Sequence, residues 1–180
     1  MALTDPVRAF LRHTLATIAY RAAKAERDAP PGFATFQLGK GARTPVEILA
    51  HMGDLFDWAL TMAKGNSEWV QSKPRSWRKE VERFHASLLE LDRYLASDAP
   101  LDAAAEELFQ GPISDVLTHI GQLAIMRRQD LSPVRSEVYA KADIAAGRVG
   151  AEQPRSPFEF DSPPAQVTGG ESVTATTPKS

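Results

Sequence analysis

Cysteine is missing altogether from the 180-residue chain. That excludes disulfides, thiolate metal sites and a cysteine nucleophile, so a transition metal would have to be held by His, Asp, Glu or water. A cysteine-free chain also suits a reducing compartment, and a cytoplasmic setting is the expectation. A surplus of either charge is missing too. The 21 Lys and Arg against 23 Asp and Glu leave a net charge of −2, which is no electrostatic footprint for nucleic acid or an anionic membrane. No window approaches the roughly 18 consecutive apolar residues of a membrane helix, so neither nucleic acid nor membrane is an expected partner. There is no GxSxG elbow, no GxxxxGK[ST] and no GxGxxG; the GKGAR stretch has glycines but lacks the strand and helix such loops require. No run alternates with period two for long enough to suggest a sheet, and no internal repeat is visible.

What remains is helical patterning in a chain that is 43% hydrophobic, enough to bury a core. Four segments between residues 5 and 129 carry it. The first opens with Asp5 as N-cap and Pro6 at N1, and Phe10, Leu11, Leu15, Ile18, Ala22 and Ala25 recur at helical spacing up to about Arg27. Although amphipathic and Arg-containing like a transit peptide, it carries Asp5 early and lacks a cleavage-like site, so a structural helix is expected. A Pro- and Gly-rich loop over 29–43 follows. The second helix starts on TPVE, where Thr44, Pro45 and Glu47 form a capping-box arrangement, and Lys64-Gly65-Asn66 closes it. The third is expected from about Ser76 to Ser97, with Trp77, Val81, Phe84, Leu88, Leu91 and Leu95 on one face. The fourth is expected to begin at Gly111-Pro112, after a short turn in DAAAEELF, and to run to Arg127-Arg128, whose charges suit a helix C-terminus. The prediction is an all-α four-helix bundle with a long crossover loop after the first helix. It fills one domain over residues 1–160 with a C-terminal strap, short helix or extended, and a disordered tail follows over 161–180.

Two helices carry matching polar edges. Stepping about 100° per residue, Glu47, His51, Asp54 and Trp58 lie a quarter turn from the apolar stripe of the second helix, and Asp115, His119, Gln122 and Met126 lie similarly on the fourth. Each edge offers a carboxylate followed four residues later by a histidine. Facing each other across a cleft, they would supply N and O donors suited to Zn²⁺, Ni²⁺ or Fe²⁺. Each residue also has an ordinary structural use. Glu47 completes the capping box, Asp115 suits the first turn of a helix, and His51 and His119 could be satisfied core histidines. His13 reads as solvated, and His85 has no second histidine one turn away. Trp58, Trp69 and Trp77 could line a pocket, with packing the simpler use.

TPVEILAHMGDLFDWAL, GPISDVLTHIGQLAIMRR and YAKADIAAGRVG together resemble the DinB-like, or DinB/YfiT-like, helical bundle proteins over residues 5–160. The resemblance implies a four-helix bundle, often a homodimer, with a divalent-metal site of three histidines, one on the second helix and two on the fourth. His51 and His119 match two of these positions; the third falls on Asp115, so a carboxylate replaces an imidazole. A His-His-Asp set resembles the two-His-one-carboxylate arrangement that leaves positions open. The activity so implied is that of a metal-dependent transferase using a low-molecular-weight thiol, or of a hydrolase, acting on a small molecule; in a metal-dependent enzyme of this kind Glu47 is the candidate base or the group orienting the ligands. The alternative is a non-enzymatic, stress-associated interaction bundle whose metal site is structural or vestigial.

Overall fold

The structure is a computed structural model and describes residues 5–160; the expected disordered tail lies outside the described residues. The fold is mostly helical. In chain order come α1 (Pro6–Glu26), α2 (Pro45–Ala63), α3 (Trp77–Ala96), the one-turn α4 (Ala105–Leu108) and α5 (Ser114–Gln129). The first two starts follow the sequence rules. Asp5 accepts hydrogen bonds from the amides of Val7 and Arg8, and Thr44 and Glu47 close a capping box on α2. α2 packs against α3 and α5, and α1 packs against the same two, so the consecutive helices α1 and α2 are joined by the long loop. Between the helices lies one apolar core in which Leu15, Met52, Phe56, Phe84, Leu88 and Leu123 are fully buried.

Several details depart from the sequence expectations. Phe10 is 64% exposed, because Leu11 and Leu15 take the core-facing positions and its neighbour on the helix is turned about 100° away. The fourth long helix begins at Ser114, not at Gly111-Pro112. Pro112 has no N–H to continue the hydrogen-bond ladder and Gly111 leaves helical geometry (ψ −106°), so α4 joins α5 through a kinked π-turn over Phe109–Ile113. The 29–43 loop also contributes to the core, where a 3-10 turn at Phe33–Thr35 buries Phe33 edge-on to Trp77.

The strap holds the one correction to the absence of a sheet. β1 (Ser136–Glu137) and β2 (Glu159–Phe160) pair antiparallel, Ser136 opposite Phe160. Two-residue strands leave no alternating pattern to read. Their position is set by charge: the Lys24 ammonium of α1, only 2% exposed, sits between Glu137 (2.5 Å) and Glu159 (2.9 Å), and the Tyr20 hydroxyl donates to Glu137 at 2.7 Å. Burial, together with that bond to a carboxylate, pushes the Tyr20 hydroxyl up to about 12. Among the described residues no helix is long and apolar enough to cross a membrane.

Candidate metal centre

α2 and α5 lie side by side, and their polar edges meet. His51, Asp115 and His119 each offer one donor atom, and these atoms all lie within 4.8 Å of one another. Asp115 stands between the histidines, one oxygen 3.3 Å from His119 Nε2 and the other 3.7 Å from His51 Nε2. Ligands about 2.0–2.2 Å from a common ion sit roughly 3–4 Å from each other, so the set needs little closure to share one. The three residues can hold a metal ion.

The burial around them is graded. His119 is buried, the His51 side chain is 19% exposed and that of Asp115 45%. A carboxylate this exposed gains little from ion pairing alone. The histidine rings pack edge to face with centroids 4.9 Å apart, and Trp69 also packs edge-on to His51 at 5.6 Å and against Trp58. Burial holds the His51 imidazolium below its usual range, helped by the charges of Arg43 and His119 and opposed by Asp115 and Asp54. A neutral His51 keeps a lone pair available to an ion. His119 is oriented by Gln122, one turn on: its Nδ1–H donates to Gln122 Oε1 at 2.9 Å. That leaves Nε2 facing Asp115, the tautomer a metal ligand requires.

Glu47 is not brought into this group. Its Oε2 accepts both the Thr44 amide and the Thr44 hydroxyl at 2.7 Å, and those bonds hold its carboxyl below the usual range. Asp54, on the same sequence edge as His51, turns inward. It is 2% exposed and accepts from Arg83 at 2.8 Å and from the Ser72 amide at 3.0 Å. The bond to Ser72 ties down the segment that carries Trp69. Arg83 reaches Asp54 by lying across Gly53, where a Cβ would come within 2.8 Å of its guanidinium carbon. The other histidines stand apart. His13 is exposed, and His85 is buried between Glu26 and the Val149 carbonyl, each at 2.8 Å.

Sequence periodicity placed Gln122 on the ligand edge but assigned it no task; a hydrogen-bonding side chain three residues after a ligand histidine is the signal. Trp69 and Arg43 lie in loops, where periodicity is silent. Beside the triad opens a cavity of about 430 Å³ whose wall includes His119, Gln122 and Arg43. Comparison with protein-family models, curated proteins and solved structures found no match for this chain.

Proposed function

We propose that the protein is a divalent-metal-binding four-helix bundle of the DinB-like kind, working in the cytoplasm as a homodimer, with His51, Asp115 and His119 as the ligands. The observation that carries this reading is the meeting of two imidazoles and a carboxylate from helices more than sixty positions apart, with donor atoms within 4.8 Å. A bound Zn²⁺, Ni²⁺ or Fe²⁺ would supply Lewis acidity towards a coordinating water or low-molecular-weight thiol. Three protein donors leave coordination positions open, which favours a transfer or hydrolysis reaction on a small molecule. In that reaction Gln122 fixes the His119 tautomer, and Trp69 and Trp58 shield His51 from water. Glu47 serves the helix cap and supports the second helix end from which His51 projects. That engagement favours the alternative of a non-enzymatic bundle with a structural or vestigial site, because the acid/base candidate has another task.

Metal analysis of purified protein separates the outcomes. Wild type should retain a divalent ion that His51→Ala and His119→Ala lose, and Gln122→Leu should weaken affinity about 10- to 100-fold. An ion at about 100 times its Kd should raise stability by about 2.7 kcal/mol, or about 5–10 °C in Tm for a chain of this size. Wild-type protein that binds none of the three metals and keeps the same Tm in their presence would refute the reading.

A further inference from the structure

The cavity beside the triad has a chemical character of its own. Leu38 and Arg43 of the long loop line it together with Ile48 of α2 and Ile125 and Met126 of α5, and His119 of the triad is part of the same wall. Leu38 and Ile125 are half exposed, 50% and 53%, although Ile125 stands on a helix otherwise buried by its apolar residues. Among the described residues the Arg43 guanidinium has no hydrogen-bond or ion-pair partner. Its charge acts on Glu47, whose Oε2 already accepts two hydrogen bonds in the helix cap. Arg43 is also close enough for its charge to act on His51.

An unpaired guanidinium, an apolar wall and a triad imidazole therefore share a space of about 430 Å³, within the range of small-molecule sites. We propose that this cavity is the substrate subsite of the centre, and that it takes a small amphiphilic carboxylate. The carboxylate pairs with Arg43, the apolar body lies along Leu38, Ile48, Ile125 and Met126, and the reacting end reaches the triad. The charge pattern favours an anion. A divalent ion on two neutral histidines and one carboxylate leaves the centre a net positive charge, and Arg43 adds another; an anionic ligand is drawn by both. A planar guanidinium is matched to a carboxylate through two parallel hydrogen bonds.

The substrate class rests on the metal reading, but the Arg43 subsite can be tested apart from it. Zinc-loaded wild type and Arg43→Gln are titrated with alkanohydroxamates of increasing chain length, each ending either in a carboxylate or in a methyl group. The hydroxamate seeks the metal and the far end reports on Arg43. In wild type the best carboxylate should bind about tenfold more tightly than its methyl counterpart, a charge-assisted bond's worth. In Arg43→Gln that preference should vanish with zinc content unchanged. Equal binding of the two series to wild type, or a preference undiminished in the variant, overturns the subsite and leaves the metal site standing. If the protein takes up no zinc, hexanoate and hexanol are compared on the metal-free protein by ligand-observed NMR. An Arg43-dependent preference for hexanoate then supports the anion subsite while the metal reading falls, and no preference overturns both.

Discussion

Asp54→Ala tests how the fold holds the wall of the centre. Asp54 is 2% exposed, and each of its oxygens has a separate task, Oδ1 accepting from Arg83 and Oδ2 from the Ser72 amide. Breaking a buried pair by removing one partner costs about 3–5 kcal/mol when the other charge is left alone. Arg83 is not left alone. It keeps Glu80 at 2.8 Å and Asp57 at 3.3 Å, and its side chain is 17% exposed. The charge contribution therefore falls to about 2 kcal/mol, below that range, and the stranded Ser72 amide adds about 1 kcal/mol. The sum, about 3 kcal/mol, lowers Tm by about 6–12 °C in a chain of this size.

Two readouts distinguish this account from general core damage. Ser72 lies three residues after Trp69, so releasing it should loosen the indole from His51 and shift tryptophan emission to the red while far-ultraviolet circular dichroism stays helical. In an Arg83→Met background, Asp54→Ala should cost less than about 1 kcal/mol, because losing the Ser72 bond is offset by removing a carboxylate left buried without its guanidinium. A loss under about 1 kcal/mol in the wild-type background, or the same loss in both backgrounds, would refute the pairing argument. Urea unfolding gives the free energies directly.

Three further outcomes are expected. Gly53→Ala should cost about 1–3 kcal/mol, since a Cβ 2.8 Å from a guanidinium pinned by Asp54 and Glu80 has to displace it; an unchanged urea midpoint would show that Arg83 moves freely. Arg127→Met should destabilise by about 3 kcal/mol or more, because its buried guanidinium donates to the carbonyls of Ala25 in the last turn of α1 and of Arg27 and Asp28 just after it; a loss below about 1 kcal/mol would argue against that cap. The last concerns pH. Burial opposes the His85 imidazolium, but its bonds to Glu26 and to the Val149 carbonyl win and raise its pKa, so its stabilisation is complete below about pH 6.5 and is lost as pH rises through the raised folded value. His51, lowered, slopes the opposite way over the acid side, so the measurement is the difference between wild type and His85→Gln; a difference that stays constant from about pH 6 to 9 would refute the assignment.

The helices were legible because their punctuation is local. Asp5-Pro6 and Thr44-Pro45 with Glu47 fix where α1 and α2 start, and a stripe such as Phe84, Leu88, Leu91 and Leu95 fixes which face of α3 is buried. The triad was legible for the same reason: Asp115 and His119 share an edge by the pitch of one helix, and His51 sits on the matching edge of another. The pitch did not say how deep each edge would lie. Asp54 shares the edge of His51 yet is buried, because Gly53 beside it leaves room for Arg83 to come across from α3.

Residues that act over long sequence distances left no such trace. Arg127 suits the end of its own helix by charge, but it also caps α1 from about a hundred residues away. His85 has an acid one turn back, Glu82, yet that residue pairs with Arg78 and the partner of His85, Glu26, comes from another helix. In each case a long side chain of one helix meets a polar group that another helix or its loop cannot satisfy internally, a condition met only once the helices have packed. Arg43 is the converse case. It lies exposed in a loop next to a capped helix start whose own carboxylate is already engaged, and no hydrogen bond or ion pair ties it to the described residues. Pairing accounts for Arg127, Arg83 and Arg12 as parts of the scaffold. Arg43 has no such account, and in the wall it shares with His119 a bound anion would complete the pattern.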